Sequence, residues 1–541
     1  MRDGSALIDL SSLLPTRYAA FGKPLQRLLG VDGINRVYAQ VKAGGDERPF
    51  FAACLMELGV EVVIGECDRE RLASGGPVVV VCNHPFGVID ALAISCELAS
   101  QRRDLRILGN YLLGHIPEMR PYLIDVDPFG ALPSKQRNLK PMRDALTHLQ
   151  GGGCLLTFPA GEVAHYRLRS AAVVDPPWSR HIAALVRRSE ASALPVYIDG
   201  RNSLMFQGLG LIHPRVRTAL LAREVLNKAG KRVHMVVGSP VPWARLSDLE
   251  NDDTRTNYMR MRTLVLRNRV PGQVSTLSKP VIEPPALEPA PAPAAPRGGS
   301  LSLQLEVDAL APELCQLQHG DFRFFVSPAA RIPRVLQEIG RQREKTFREV
   351  GEGTGGRTDL DEFDQYYLHA FLWDDANSQL AGAYRLGRAA EILRERGKRG
   401  LYTHTLFKFS PQFLDGLRGG ALELGRSFIT SGYQRKHSSL ALVWKGILRW
   451  LADEAPECRV LFGPVSISQE YNAFSKNLIV QYLRRKLTNP QISAYVRPRH
   501  PFRAKKIFGL SKRDIAENLR GVEDVSALIS EIEDDGKGVP M

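Results

Sequence analysis

Residues equipped for chemistry fall into two groups, one in each half of a 541-residue chain. The first follows the apolar run PVVVVC, where NHPFGVID places His84 at a strand end and Asp90 six residues later, near the start of a helix. A histidine there stands at the carboxyl edge of a sheet, where α/β proteins bind ligands. A carboxylate beside its imidazole fixes the tautomer and stabilises the charged form, which makes His84 a general base toward a hydroxyl. The plain alternative is a histidine that only caps a strand. Downstream, FPAGEV supplies Phe158, Gly161 and Glu162 in a turn. The second group comes from RQREKTF, DLDEFD, LAGAYRL and ELGRSF: Arg343 and Phe347, Asp361, Glu362 and Asp364, Arg385, and Glu423 with Arg426. Taken singly these are a helical neighbour pair, an acidic loop and a surface ion pair, the last worth little.

The elements that must position these groups follow from hydrophobic periodicity. In the first half, β-branched runs (PVVVVC, DLRILGN, YLIDVDP, GCLLTF, ALPVYI) alternate with helical patterns such as GVIDALAISCELA and residues 135–150. That alternation predicts an α/β domain. In the second half, LSLQLEV, FRFFVS, YYLHAFLWDD, QLAGAYRLG, ALELGRSFI and RVLFGPVSIS read as strands. Helices are predicted near residues 331–350 and 438–452, a mixed α+β pattern. Between the halves, residues 279–300 (KPVIEPPALEPAPAPAAPRGGS) replace periodic hydrophobics with Pro and Ala, the composition of a tether. The expected division is therefore 1–278, a linker 279–300, and 301–541, whose acidic tail reads as a helix and a frayed end. The first 40 residues carry Leu, Tyr, Phe and Arg at near-helical spacing. They suit a bilayer surface or a helix packed on the domain's own core.

Composition narrows the partners. A hydrophobic fraction of 44% and a charged fraction of 24% exclude a mostly disordered chain. A formal charge of +14 favours anionic partners: nucleic acid, anionic lipid or an acidic carrier protein. No zinc-finger spacing, RNP-like aromatic motif or basic-region heptad appears, so nucleic acid is not expected. Seven scattered cysteines, none in C-x-x-C spacing, argue against a disulfide framework or a structural metal and fit a reducing cytoplasm. Neither a signal peptide nor an apolar run of about 18 residues is found, so membrane contact is expected to be peripheral.

Taken together, NHPFGVID, FPAGE and ALPVYI resemble the glycerolipid (lysophospholipid) acyltransferase family, with its N-H-x4-D, F-P-E-G-T-R and later hydrophobic-Pro-hydrophobic strand. LLAREVLNKAGKRVHMVVGSPV is similar to the hemolysin-like branch, which includes O-acyltransferases of ornithine-lipid synthesis. The resemblance spans most of residues 40–245. Two departures stand out. The His84–Asp90 spacing is one residue longer, an insertion that a Pro-Phe-Gly turn can absorb. FPAGEV has Ala160 for the family's Glu and Glu162-Val163 for its Thr-Arg, so the arginine expected to fork onto an acceptor phosphate is missing. This implies an acceptor without that phosphate, and Glu162 would suit a cationic side chain.

The second group resembles the acyl-homoserine-lactone (autoinducer) synthases, a GNAT-like fold with R-x3-F, D-x-x-D, G-x-x-R-L and E-x-x-R, carried here by Arg343 and Phe347, Asp361 and Asp364, Gly382 and Arg385, and Glu423 and Arg426. The family's tryptophan after the first motif has no counterpart in REVGEGTGG, and the domain is more similar to the related ornithine N-acyltransferases. The resemblance implies transfer of an acyl chain from acyl carrier protein to an amine. A carboxylate such as Asp361, Glu362 or Asp364 would hold the ammonium and take its proton while a strand amide stabilises the oxyanion. Glu423 joins the candidate catalytic carboxylates. Arg343, Phe347, Arg385 and Arg426 are candidates for fixing those carboxylates or meeting the carrier's phosphopantetheine. The combined expectation is a bifunctional acyltransferase of ornithine-lipid synthesis, cytoplasmic and peripheral on the inner face of a bacterial membrane. Acyl carrier protein is the expected donor, ornithine the amino acid, and neither cofactor nor metal is expected. The competing readings are a lysophospholipid acyltransferase with an accessory carrier-binding module, the same chemistry on lysine or glutamine, an acyl-homoserine-lactone synthase, and a membrane-disrupting protein.

Overall fold

The computed structural model describes residues 7, 22–44, 48–127, 138–167, 172–212, 214–271, 299–310, 313–434, 437–468, 470–504 and 519–533. The chain divides into two compact units, Met1–Leu277 with Lys506–Met541, and Ser278–Lys505. Most of the expected linker, residues 279–298, lies outside the described residues, as do residues 8–21 of the amphipathic N-terminal stretch.

In the first unit the strands are β1 (Glu61–Ile64), β2 (Val78–Cys82), β3 (Leu105–Asn110), β4 (Leu123–Val126), β5 (Cys154–Thr157), a hairpin of β6 (His165–Arg167) and β7 (Ala172–Val174), β8 (Ser192–Ile198) and β9 (Arg232–Val237). Seven of them form one sheet in the order β1-β9-β8-β2-β5-β3-β4. All its ladders are parallel except β8–β9. VVVVC is apolar on both faces, and all five residues of β2 are buried in mid-sheet between β5 and β8, as a strand covered on both sides requires. Because β2 and β5 run parallel, the loops bearing His84 and Phe158 leave the same edge. The helix Val31–Ala43 sets Ile34, Val37 and Val41 against the core of this unit, so that part of the N-terminal stretch packs on its own domain.

The same unit holds a segment that the sequence reading assigned to 301–541. Helix Val522–Ser530 and its flanks bury Leu519, Val525, Leu528, Ile529 and Ile532. Glu531 accepts the Ser239 N–H at 2.9 and 3.1 Å and pairs with Arg262, and Asp524 pairs with Arg245. The expected boundary is corrected here: an acidic tail, unremarkable by composition, carries an apolar stripe at helical spacing that completes the N-terminal unit.

The second unit is built on β10 (Cys315–His319), β11 (Phe322–Pro328), β12 (Leu368–Asp374), β13 (Gln379–Arg388), β14 (Phe407–Phe409), β15 (Ala421–Ile429), β16 (Val460–Phe462) and β17 (Val496–Pro498). Six strands make a sheet in the order β10-β11-β12-β13-β15-β16, antiparallel but for β15–β16. Strand alternation splits its core in two. Phe324 and Leu372 join Leu442, Val443 and Ile447 of the helix His437–Glu454, while Phe325 and Phe371 join Val335 and Ile339 of the helix Pro333–Glu349. One strand expectation fails and a second holds only in part. LSLQLEV lies in the helix Gly299–Leu310, because Leu303, Val307 and Leu310 are the buried positions and the alternating Leu301 and Leu305 are exposed. RVLFGPVSIS gives only Val460–Phe462, ending at the Gly463-Pro464 pair.

Candidate active sites

Asp90 is fully buried three residues into the helix Val88–Gln101, where its Oδ2 accepts the Phe86 and Gly87 N–H groups at 2.8 Å each. The same oxygen lies 3.0 Å from His84 Nδ1, close enough to pair although the approach is oblique to a hydrogen bond. The turn Pro85-Phe86-Gly87 does absorb the longer spacing, and Gly87 makes it possible with φ of 98°. With Nδ1 turned to the carboxylate, Nε2 is the nitrogen left for a hydroxyl. The backbone around the histidine is fixed from three sides. The Asn83 side chain exchanges two hydrogen bonds with Ile198 of β8, at 2.8 and 2.7 Å. The His84 N–H donates to Asp175 at 3.2 Å, and the Ala164 N–H donates to the His84 carbonyl at 2.7 Å. Burial pushes the Asp175 carboxyl above its usual range, against the hydrogen bonds from Trp178 and the His84 N–H.

This histidine lines a cavity of about 1400 Å³ together with Phe50, Leu92, Ile107, Met119, Leu185, Phe206 and Leu221. That exceeds the roughly 300–1,000 Å³ of ordinary small-molecule pockets and is walled mainly by apolar side chains, as a long hydrocarbon requires. Phe158 packs against the imidazole with ring centroids 4.2 Å apart and planes tilted by 32°. Gly161, at φ of 68°, closes the turn through its N–H to the Phe158 carbonyl. Glu162 is exposed and meets Arg217 at 3.0 Å, so the cation facing it is the protein's own. Sequence reasoning missed Arg217, which sits outside every motif, and Asp175. Among the described residues no cluster of His, Cys, Asp and Glu suits a metal ion.

The second constellation assembles in the other unit. Arg343 is buried and grips Asp364 with both terminal nitrogens, at 3.2 and 2.9 Å, and its Nε lies 3.2 Å from Asp359. Arg385, on β13 and equally buried, bonds Asp361 at 2.5 Å and reaches Asp364 at 3.3 Å. Arg426 approaches Asp359 at 3.3 Å and Asp361 at 3.8 Å. It stands at φ of 49°, where the β13–β15 register slips between Ala383 and Arg385. A side chain held in left-handed backbone at a bulge marks a position that its surroundings over-determine. Aromatic rings close the cluster: Tyr402 lies 4.9 Å from the Arg385 guanidinium and 5.3 Å from that of Arg426, and Phe347 lies 6.0 Å from Arg426.

Geometry separates the carboxylates that the sequence grouped together. Burial pushes Asp364 up, but Arg343 and Arg385 outweigh it and hold the carboxyl below its usual range; both oxygens are committed to guanidinium, and Oδ2 also accepts the Asp361 N–H at 2.8 Å. Asp361 is the more open, with 26% of its side chain exposed. Glu423 is buried, accepting from Tyr367 and from the Thr403 N–H at 2.6 Å. Asp359 and Tyr402 were missed by the motif reading; Asp359 heads the quoted DLDEFD run, whereas nothing in the sequence marked Tyr402. A pocket of about 280 Å³ in this unit is lined by Tyr366, Arg388, Arg396 and Trp450, and by none of the acid–arginine cluster.

Comparison with known proteins finds a match for each half of the chain. A family described as "Acyltransferase" matches residues 18–272, and one described as "Acetyltransferase (GNAT) domain" matches residues 342–445. A glycine N(alpha)-acyltransferase of Phocaeicola vulgatus is 33% identical over 163 residues, 28% of this chain and 50% of that protein. One of Bacteroides thetaiotaomicron is 31% identical over 173 residues, 30% of this chain and 51% of that protein. The chain thus spans about half the length of these curated relatives. Among solved structures, the 1-acyl-sn-glycerophosphate (LPA) acyltransferase PlsC of Thermotoga maritima covers 48% of this chain and 94% of its own at 17% identity, with a TM-score of 0.25; so loose a superposition supports no residue correspondence.

Proposed function

We propose that this acyltransferase, which joins an acyltransferase domain to a GNAT domain, builds a two-chain aminolipid. The GNAT domain transfers a 3-hydroxyacyl chain from acyl carrier protein to the α-amine of ornithine, and the N-terminal domain esterifies the 3-hydroxyl with a second acyl chain from the same carrier. The observation that carries the reading is His84 over Asp90 on the wall of an apolar cavity of about 1400 Å³.

In the ester step His84 Nε2 takes the proton of the acceptor hydroxyl as its oxygen attacks the thioester carbonyl. The C–S bond then breaks, and the imidazolium returns the proton to the leaving thiolate, giving ester and free carrier thiol. Asp90 holds the ring and stabilises its charge. Phe158 packs against the ring and limits its rotation. In the amide step Asp361, the more open carboxylate, holds the ammonium and takes its proton. Asp364, gripped by Arg343 and Arg385, keeps that loop in place, and the amine then displaces the carrier thiol. The net charge of +14 suits an acidic carrier and an anionic membrane face. Among the described residues no helix is long and apolar enough to cross a membrane, so the contact proposed is peripheral.

The relatives' name brings in a second reading, glycine as the acylated amino acid. Expression in a host lacking aminolipids, followed by lipid mass spectrometry, decides between them. A diacylated ornithine species is expected, a diacylated glycine species would move the substrate but keep the chemistry, and unchanged lipids would refute the proposal.

A further inference from the structure

The cavity that holds His84 also holds an arginine that the mechanism does not use. Arg143, Arg180, Arg188 and Arg217 all line it. The first three are exposed, whereas the Arg217 side chain is only 15% exposed and its carboxylate partner, Glu162, is 62% exposed. A guanidinium drawn out of water with a solvated counter-ion is poised to exchange that partner for a ligand anion.

Its placement is built into the fold. The stem of Arg217 crosses the backbone of the neighbouring helix at Gly210, where an added Cβ would lie 2.5 Å from Arg217 Cγ. Any larger residue at 210 would displace the arginine. One helical turn further on, Leu221 packs beside Gly87: a Cβ added there would stand 3.1 Å from Leu221 Cδ2 and 3.2 Å from Val163 Cγ2. The helix that carries Arg217 is tied to the His84–Asp90 turn by this contact and to the loop of Glu162 by the ion pair. The acceptor proposed above keeps its α-carboxylate when its amine is acylated, so it presents an anion together with its hydroxyl.

We infer that Arg217 is the specificity-determining anchor for the acceptor's carboxylate, with Glu162 as the placeholder that leaves it when the acceptor binds. The inference rests on the O-acylation reading. It makes the acceptor class a hydroxyacyl amino acid with a free carboxylate, and it makes the amide-bond-forming reaction the one that must supply this substrate.

The test uses the purified full-length protein with acyl-acyl carrier protein as donor, and N-(3-hydroxyacyl)ornithine or its methyl ester as acceptor. The wild type should prefer the free acid by about 10- to 100-fold in KM, the range of one hydrogen-bonded charge. Arg217→Ala should erase that preference by raising KM for the acid while leaving kcat and the ester little changed. Glu162→Gln breaks the same ion pair without removing the cation and should lower KM for the acid. If Glu162→Gln and Arg217→Ala instead weaken acid and ester alike, Arg217 is only a structural partner and the inference fails. Equal use of acid and ester by the wild type would overturn it while leaving O-acylation intact. Turnover of lysophosphatidate with neither hydroxyacyl compound accepted would overturn the O-acylation reading and this inference with it.

Discussion

Replacing Glu531 with alanine should destabilise the N-terminal unit although the residue lies ten positions from the end of the sequence. Its carboxylate satisfies the Ser239 N–H and balances Arg262, and both side chains of the pair are nearly buried, at 3% and 7% exposure. Removing one member of a buried pair leaves the other charge uncompensated, at a cost of about 3–5 kcal/mol. In a unit this large each kcal/mol lowers the melting temperature by about 2–4 °C, which gives a fall of roughly 6–20 °C. Calorimetry of the full chain should show the transition of the N-terminal unit moving down by that amount, and the temperature at which ester formation is lost moving with it, while the GNAT unit is unaffected. Glu531→Gln keeps an acceptor for Ser239 and should fall between. By the same logic a fragment ending at residue 278 lacks Leu519, Leu528 and Ile529, all below 1% exposed, and should fold poorly unless residues 506–541 are supplied. A first transition and ester activity unmoved by Glu531→Ala, with fragment 1–278 stable by itself, would refute the assignment of the tail.

The two chemistries should separate by mutation. His84→Ala should lower ester formation about 10²–10⁴-fold, the usual contribution of a positioned base, and let the single-chain N-acyl amino acid accumulate in lipid extracts; unchanged diacyl lipid would sink the role. Asp361→Asn should stop amide formation at a smaller cost in thermal stability, since Arg385 keeps Asp364. Asp364→Asn should lower stability of the GNAT unit by several kcal/mol, since Arg343 and Arg385 lose their shared partner; circular dichroism melts that rank the two variants the other way would contradict the division of roles. Either protein, where folded, should still esterify added N-(3-hydroxyacyl)ornithine. His369 gives a pH signature: burial disfavours its imidazolium and lowers its pKa, outweighing the hydrogen bond to the Asp364 carbonyl, 2.8 Å away, which favours the charged form. An unfolded histidine titrates near 6.5, so the unfolded state binds more protons as pH drops below that value. The stability contribution is therefore full above about pH 6.5 and lost as pH falls toward the folded value. Urea midpoints of the GNAT unit should fall between pH 7.5 and 5.5 in the wild type and much less in His369→Gln; parallel slopes would exclude the residue as the cause.

How far the sequence spoke depended on whether each feature is local. VVVVC could only be a central strand, and the histidine and aspartate that follow it are close enough in sequence for a turn to bring them together; both were legible. LSLQLEV was misread because alternation and helical spacing coincide over seven residues, and only burial of Leu303, Val307 and Leu310 against the sheet decides between them. The destination of the tail was illegible for a different reason. Glu531 and Arg262 lie 269 residues apart with another unit between them, and no local pattern encodes such a return. The acid–arginine cluster falls in between: its members could be named from spacing, but which carboxylate stays open is decided by how tightly guanidinium groups grip each and how deeply each is buried. Asp364 has two and is spent on holding the site together. Asp361 is reached by Arg385 and more distantly by Arg426, yet keeps part of its side chain in solvent. A carboxylate must be reachable to take a proton from an ammonium, so burial, which the sequence does not record, assigns the proposed chemistry to Asp361 and the scaffolding to its neighbour.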